Sequence, residues 1–168
     1  GLGLRMRADG FRALYACVAG FMWLITSAFS LDYFRHEEHV GRYALFTLLT
    51  LGATVGLFLS DTLYSAFLFF EVMSMASYPW VAHEEDAAAM RAAQTYLYIA
   101  MIGGLVTLMG LFLLPAGLAT APFGELSARA AAVGADALWL PALLTLFGFA
   151  AKAGSFPLHI WLPKAHPV

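Results

Sequence analysis

The 168-residue chain has few charged residues, one cysteine and no basic tract. Lys, Arg, Asp and Glu make up 12% of it, about half of the roughly 25% that is typical of a soluble domain. Because Cys17 is the only cysteine, an internal disulfide and a cysteine-ligated metal cluster are excluded. The lack of a Lys/Arg run argues against nucleic acid as a partner, and the formal net charge of −2 says nothing about partners.

The scarcity of charge is matched by an excess of hydrophobic residues, 61% of the chain against about 45–50% in soluble domains. They gather in runs of about 20, the length that a helix needs to cross roughly 30 Å of hydrocarbon. Since open sheet edges do not occur in lipid, the spans must be helices. The sequence predicts an integral membrane protein of the all-α class, a polytopic helix bundle in one domain over residues 1–168. The predicted spans cover residues 11–31, 43–60, 62–82, 92–114 and 138–162.

Two segments depart from this simple pattern. Residues 123–133 are weakly amphipathic, which predicts a short helix that lies at the membrane interface. In the last span, Gly154 and Pro157 follow Lys152, and proline lacks the amide donor that a continuous helix needs. We therefore predict a break near Gly154 and Pro157. A simple proline kink in a structural helix is the alternative.

Two isolated charges lie in the middle of predicted spans, Glu71 in the third and Lys152 in the fifth. A charge at the bilayer centre costs about 2.5–3.5 kcal/mol, so it normally faces a partner or a water-filled cavity. A nearby glutamate favours the charged form of a lysine, and desolvation disfavours it. Two interpretations stay open: a switchable pair that moves protons, and a static ion pair that fixes helix packing. His159 follows Lys152 by seven residues and shares its face if the break does not rotate it away.

The remaining polar residues carry weaker signals. His36 and His39 lie in a charged loop, and their spacing is one residue short of the His-Glu-x-x-His zinc motif. We find no glycine-rich phosphate loop, catalytic triad or metal-ligand cluster in the sequence, so we expect no metal site. The loop Lys and Arg residues divide evenly between the two predicted sides and do not fix the orientation.

Two parts of the chain resemble one known family. Residues 61–64 and 70–78 are similar to the glutamate-bearing helix of the antiporter-like subunits. These subunits are shared by respiratory complex I, by membrane-bound hydrogenases and formate hydrogenlyase, and by multisubunit cation/proton antiporters. Residues 148–153 and 156–166 resemble the broken, lysine-bearing helix of the same subunits. Both motifs occur in the family's order and at its separation.

The resemblance implies roles for three residues. Glu71 is expected to be the glutamate that modulates the central lysine, Lys152 to be that lysine, and His159 to lie near the hydrophilic axis as a possible relay. It further implies that the chain binds neither flavin nor iron–sulfur cluster and is a non-catalytic, ion-translocating subunit of an oxidoreductase complex or an antiporter. The expected partners are other membrane subunits and the lipid bilayer, and the expected location is a prokaryotic inner membrane.

The resemblance covers only the third to the seventh helix of a fold with about fourteen, which is built from inverted repeats. We therefore expect a fragment, or one half of a split subunit, with one half of the antiporter-like fold. The main expectation is proton translocation, with cation/proton antiport included. The first alternative is a structural scaffold in which the ion pair is static. The second, a membrane enzyme, would need a catalytic cluster in the loops, and the sequence has none.

Overall fold

A computed structural model describes residues 3–33 and 39–165, without the side chains of residues 31–33. His36, part of the rejected zinc-like motif, lies outside the described residues. The predicted all-α class is confirmed, and the helices occur in the following order. They are α1 (Gly10–Tyr33), α2 (Val40–Leu59), α3 (Leu63–Val81), α4 (Ala87–Leu113), α5 (Phe123–Val133), α6 (Ala135–Lys152) and α7 (Leu162–Ala165), with a short 3-10 helix at Leu158–Trp161.

Four helices in the described part of the chain, α1, α2, α4 and α6, are long and apolar enough to cross a membrane. The protein is therefore an integral membrane protein. α3, which carries Glu71, has 19 residues and packs between α2 and α4. α4 begins at Ala87, five residues earlier than the predicted span, because the Asp86 side chain caps it by accepting a hydrogen bond from the Ala89 amide at 2.6 Å.

The predicted break of the last span is confirmed. α6 ends at Lys152, and Gly154 follows with a φ of +68°, a value that glycine adopts at little cost. The chain then turns back through the 3-10 helix, and the Trp161 indole donates a hydrogen bond of 2.9 Å to the Ala151 carbonyl. The same carbonyl also accepts a hydrogen bond of 3.3 Å from the Gly154 amide, so both sides of the break meet at this carbonyl. The break thus lays an aromatic ring beside Lys152.

α4 and α6 approach each other closely because small residues line their contact. A Cβ atom on Gly103 would lie 2.9 Å from the Ala151 Cβ, and one on Gly110 would lie 2.6 Å from the Thr145 hydroxyl. Small residues at such contacts let helix backbones pack tightly in membranes. The close contact determines which side chains of α4 reach the end of α6.

At the other end of the bundle, the residues before α1 lie along the turn between α2 and α3. The Arg7 amide donates to the Leu59 carbonyl at 2.8 Å, and the Asp61 amide donates to the Arg5 carbonyl at 3.0 Å. Arg12 of α1 forms an ion pair of 2.8 Å with Asp61. Their side chains are only 14% and 13% exposed, so this is a largely buried pair.

Candidate functional site

Glu71 lies in the middle of α3 with its carboxylate against the backbone of α4. A Cβ atom on Gly104 would lie 2.5 and 2.6 Å from the two carboxylate oxygens, so only glycine leaves room for the side chain in this position. Oε1 of Glu71 is buried and has no hydrogen-bond partner among residues 3–33 and 39–165. The hydroxyl of Ser74, three residues further on the same helix, is buried and unpartnered as well. α3 therefore carries two polar groups, the Glu71 carboxylate and the Ser74 hydroxyl, that can form further hydrogen bonds.

Lys152 is the last residue of α6 and is half-buried. Its ammonium group donates to the hydroxyl of Tyr96, and Nζ lies 4.5 Å from the centre of the Tyr96 ring. The Trp161 ring is farther away, with 6.0 Å between its centre and Nζ. The lysine is thus held by aromatic groups on both sides of the helix break.

Tyr96 joins Lys152 to α3. Its hydroxyl donates a hydrogen bond of 2.8 Å to the carbonyl of Ser74. The two hydrogen bonds of this hydroxyl therefore link α6 to α4 and α4 to α3. The carbonyl on α3 lies one turn from Glu71. Within the described residues no salt bridge joins Glu71 to Lys152; the two interact through their charges at longer range.

A cavity of about 440 Å³ lies beside the lysine. Lys152, Tyr96 and Ser77 supply polar atoms to its wall, and Trp80 and Trp161 supply rings. A buried water needs about 10–15 Å³ and two to four polar partners. The cavity is open on one side and large enough for several water molecules, and Lys152, Tyr96 and Ser77 are the polar residues of a mainly apolar lining.

The structure does not bring His159 to this group. His159 is exposed on the 3-10 helix, and its ring stacks on Phe156 with 5.6 Å between ring centres. None of the hydrogen bonds or ring contacts found among the described residues joins it to Lys152. A relay through His159 stays a prediction.

Reading the sequence missed two residues of this site, Tyr96 and Gly104. Tyr96 had a signal, because a hydroxyl in an apolar span needs a hydrogen-bond partner. Gly104 follows another glycine in the same span, and such glycines mark close helix contacts in membranes. Neither signal predicts that Tyr96 contacts Lys152 or that Gly104 contacts Glu71.

A second polar contact lies in the loop between α3 and α4. Arg42, near the start of α2, forms a salt bridge with Glu85 and donates a hydrogen bond of 3.1 Å to the His83 carbonyl. The hydrogen bond from Arg42, together with its positive charge, lowers the pKa of the Glu85 carboxyl below its usual value. The contact ties the loop to the start of α2.

Comparison with known proteins decides the family. The profile of the family described as "NADH:quinone oxidoreductase/Mrp antiporter, TM" matches residues 60–168. The chain belongs to this family. The resemblance seen in the sequence is thereby confirmed, and the matched region contains Glu71, Tyr96, Gly104 and Lys152.

Curated relatives of this family cover nearly the whole chain. Hydrogenase-4 component B of Escherichia coli K12 is 31% identical over 98% of the chain, and Na(+)/H(+) antiporter subunit A1 of Staphylococcus saprophyticus is 29% identical over 98%. The chain spans 24% and 21% of the lengths of these two relatives. It is therefore similar to one part of each.

A solved structure shows the same fold. A chain of the membrane-bound sulfane sulfur reductase, an archaeal respiratory membrane complex, matches with a TM-score of 0.83 at 24% identity. The match covers 99% of this chain and 34% of the other. At this level of identity the comparison establishes the arrangement of the helices.

Proposed function

We propose that residues 1–168 form one transmembrane domain of a proton-translocating subunit in a multisubunit membrane complex, and that Glu71 and Lys152 change protonation in turn. The observation that carries the proposal is the Tyr96 contact. It connects two ionisable groups in separate apolar helices, next to a cavity that can hold water. The names of the relatives, a hydrogenase component and an Na(+)/H(+) antiporter subunit, support a place in a redox-driven or antiporter complex.

The coupling does not require a direct ion pair. Two unit charges about 10 Å apart interact by roughly 1.7 kcal/mol at an effective dielectric constant of about 20. A difference of about 1.4 kcal/mol changes an equilibrium constant tenfold. Two charges at such a separation would therefore be coupled about tenfold: protonation of Glu71 would weaken proton binding at Lys152, and deprotonation would restore it. The unpartnered carboxylate oxygen of Glu71 supports this role, because it leaves the group able to form different hydrogen bonds in its two protonation states.

The site suits protons better than metal cations. A lysine ammonium group has only donors and cannot coordinate sodium. Exchange with another cation would take place elsewhere in the complex. The proposed surroundings are other membrane subunits and lipid, in a prokaryotic inner membrane.

The test is Lys152→Met in the complete subunit within its complex, with the exposed Lys164 as the matched control. We expect Lys152→Met to reduce proton translocation at least about tenfold while the amount of assembled complex stays the same. Lys164→Met is expected to leave both unchanged. Proton uptake by inverted membrane vesicles, divided by the amount of complex, gives the comparison. Normal translocation by Lys152→Met would refute the proposal.

A structural scaffold is the second candidate, and the buried Arg12–Asp61 pair favours it for the opposite end of the bundle. Under this alternative, Lys152→Met would lower the amount of complex and leave translocation per complex unchanged. The two readouts of the experiment therefore separate the alternatives.

A further inference from the structure

We propose that Tyr96 is a positioning residue, whose hydroxyl holds the Lys152 ammonium group and ties it to the Ser74 carbonyl one turn from Glu71. The inference rests on the proposed function, because it assigns Tyr96 a part in the protonation of Lys152. It adds a third helix, α4, to a site that the sequence placed on two.

The direction of the hydrogen bonds follows from the hydroxyl itself. Tyr96 is 2% exposed, and its single proton is donated to the Ser74 carbonyl at 2.8 Å. The oxygen therefore has only lone pairs to offer Lys152, and the lysine must be the donor. A charged donor makes a hydrogen bond about twice as strong as a neutral one. The arrangement consequently favours the protonated lysine.

The ring of Tyr96 also favours the protonated form of Lys152. Nζ of Lys152 lies 4.5 Å from its centre, within the range of a cation–π interaction. Trp161 packs edge-on against this ring with 5.2 Å between centres, and its indole is itself bonded to the Ala151 carbonyl. The tyrosine is thus fixed between the carbonyl of Ser74 and the returning segment after the break.

The charged and titratable groups that act on Lys152 come from two neighbouring helices. Within the described residues they are Tyr96 on α4 and Glu71 on α3. From the segment after the break, Trp161 contributes an uncharged ring. Glu71 acts through its charge and Tyr96 through a hydrogen bond, so the contribution of Tyr96 can be removed without altering the charge of the site.

The hydroxyl also gives a physical reason for coupling between helices. Ser74 and Glu71 lie three residues apart on α3 and therefore share a face. Any shift of this part of α3 moves the carbonyl that orients the tyrosine. Such a shift changes how well the hydroxyl can accept the hydrogen bond from Lys152.

The experiment compares Tyr96→Phe with Tyr98→Phe in the complete subunit within its complex. Tyr98 lies two residues further on the same helix and is 63% exposed, so it controls for the loss of a hydroxyl from α4. We expect Tyr96→Phe to lower translocation several-fold and to move the alkaline limb of its pH profile about one unit toward lower pH. Tyr98→Phe should match the wild type. A structural role for Tyr96 would change the amount of complex and leave the pH profile in place.

Three outcomes separate the two proposals. If Lys152→Met is inactive and Tyr96→Phe has the wild-type rate and pH profile, the role of Tyr96 is refuted and the proposed function stands. If Lys152→Met translocates normally, the proposed function fails. If Tyr96→Phe does not assemble, 4-aminophenylalanine at position 96 keeps the ring and a donor but is a much weaker acceptor. An unchanged pH profile with that residue would likewise overturn the inference.

Discussion

Two sets of opposite charges in the described part of the bundle are joined in different ways. Arg12 and Asp61, at the helix ends, form a direct ion pair of 2.8 Å. Lys152 and Glu71, within the apolar helices, have a tyrosine and a turn of α3 between them. In the first arrangement the two charges are in direct contact, although Nη1 of Arg12 forms no hydrogen bond among the described residues. In the second they are not in contact, and Oε1 of Glu71 forms no hydrogen bond there.

In our proposal, the difference separates a structural ion pair from two charges that change protonation without direct contact. Removing one partner of a buried ion pair costs about 3–5 kcal/mol, mostly because the other charge loses its compensation. Such a pair holds one protonation state and fixes the helices. A group that must gain and lose a proton needs both states to be accessible, which the longer contact through Tyr96 allows. In our proposal, one pair of opposite charges fixes the packing at one end of the bundle, and a different pair moves protons in its interior.

The largest expected effect is on assembly, from breaking the structural pair. Asp61→Asn should destabilise the protein by about 3 kcal/mol, the lower part of the range for buried pairs, because Arg12 keeps a contact of 3.3 Å with Asp9. We expect a large fall in the amount of assembled complex and unchanged translocation per complex. Asp9→Asn is the matched control, since the Asp9 side chain is 40% exposed and the pair with Asp61 remains. The contrast fails if both variants assemble equally well.

Replacing the interior carboxylate of Glu71 by an amide should leave assembly unchanged and reduce translocation. Glu71→Gln keeps the shape of the side chain and removes its charge, so we expect normal assembly and about a tenfold loss of translocation. Glu71→Asp, which keeps the charge, should lose less. Glu84→Gln, at an exposed loop position, should behave as the wild type. Full translocation by Glu71→Gln would show that its charge has no role.

The sequence was sufficient to predict the class of the fold and its most irregular feature. Apolar runs of span length determine the helices, and Gly154 and Pro157 predict the break because of their backbone chemistry. Glu71 and Lys152 stood out because a charge is costly at membrane depth. Each of these inferences needs only local sequence.

The contacts of the site could not be predicted in the same way. Hydropathy is nearly uniform around an apolar span, so it gives neither the rotation of a helix nor its neighbours. That α4 carries Tyr96 to Lys152, and Gly104 to Glu71, depends on how closely α4 packs between α3 and α6. The Arg12–Asp61 pair was missed for a related reason: its residues are 49 positions apart and lie at the ends of different helices.

A smaller effect should come from the glycine that faces Glu71. With Gly104→Ala, the new Cβ would lie 2.5–2.6 Å from the carboxylate oxygens, so the flexible end of Glu71 must move away. Stability should change little, and translocation should fall by a few-fold. Gly52→Ala, an exposed position on α2 with no atom within 4 Å of the added Cβ, is the control. Equal translocation by the two variants would show that the position of the carboxylate is unimportant.

The smallest effect is expected at the exposed salt bridge between Arg42 and Glu85, which joins a loop to a helix as Arg12–Asp61 does but in contact with water. Arg42 lowers the pKa of the Glu85 carboxyl in the folded protein. The salt bridge therefore contributes its full stabilisation above the unfolded pKa of about 4.3, and this stabilisation is lost as the pH falls through the lower folded pKa. Glu85→Gln should therefore lower the melting temperature of the solubilised complex slightly at pH 7. The difference from the wild type should disappear in acid.

The control is Glu84→Gln, which removes the neighbouring exposed carboxylate and should leave the melting temperature unchanged at both pH values. Added salt distinguishes the two ion pairs, because screening weakens exposed charges far more than buried ones. High salt should abolish the effect of Glu85→Gln at pH 7 and leave most of the effect of Asp61→Asn. If salt reduced both to the same extent, the Arg12–Asp61 pair would be in contact with solvent, and the contrast between a structural and a functional pair would lose its basis.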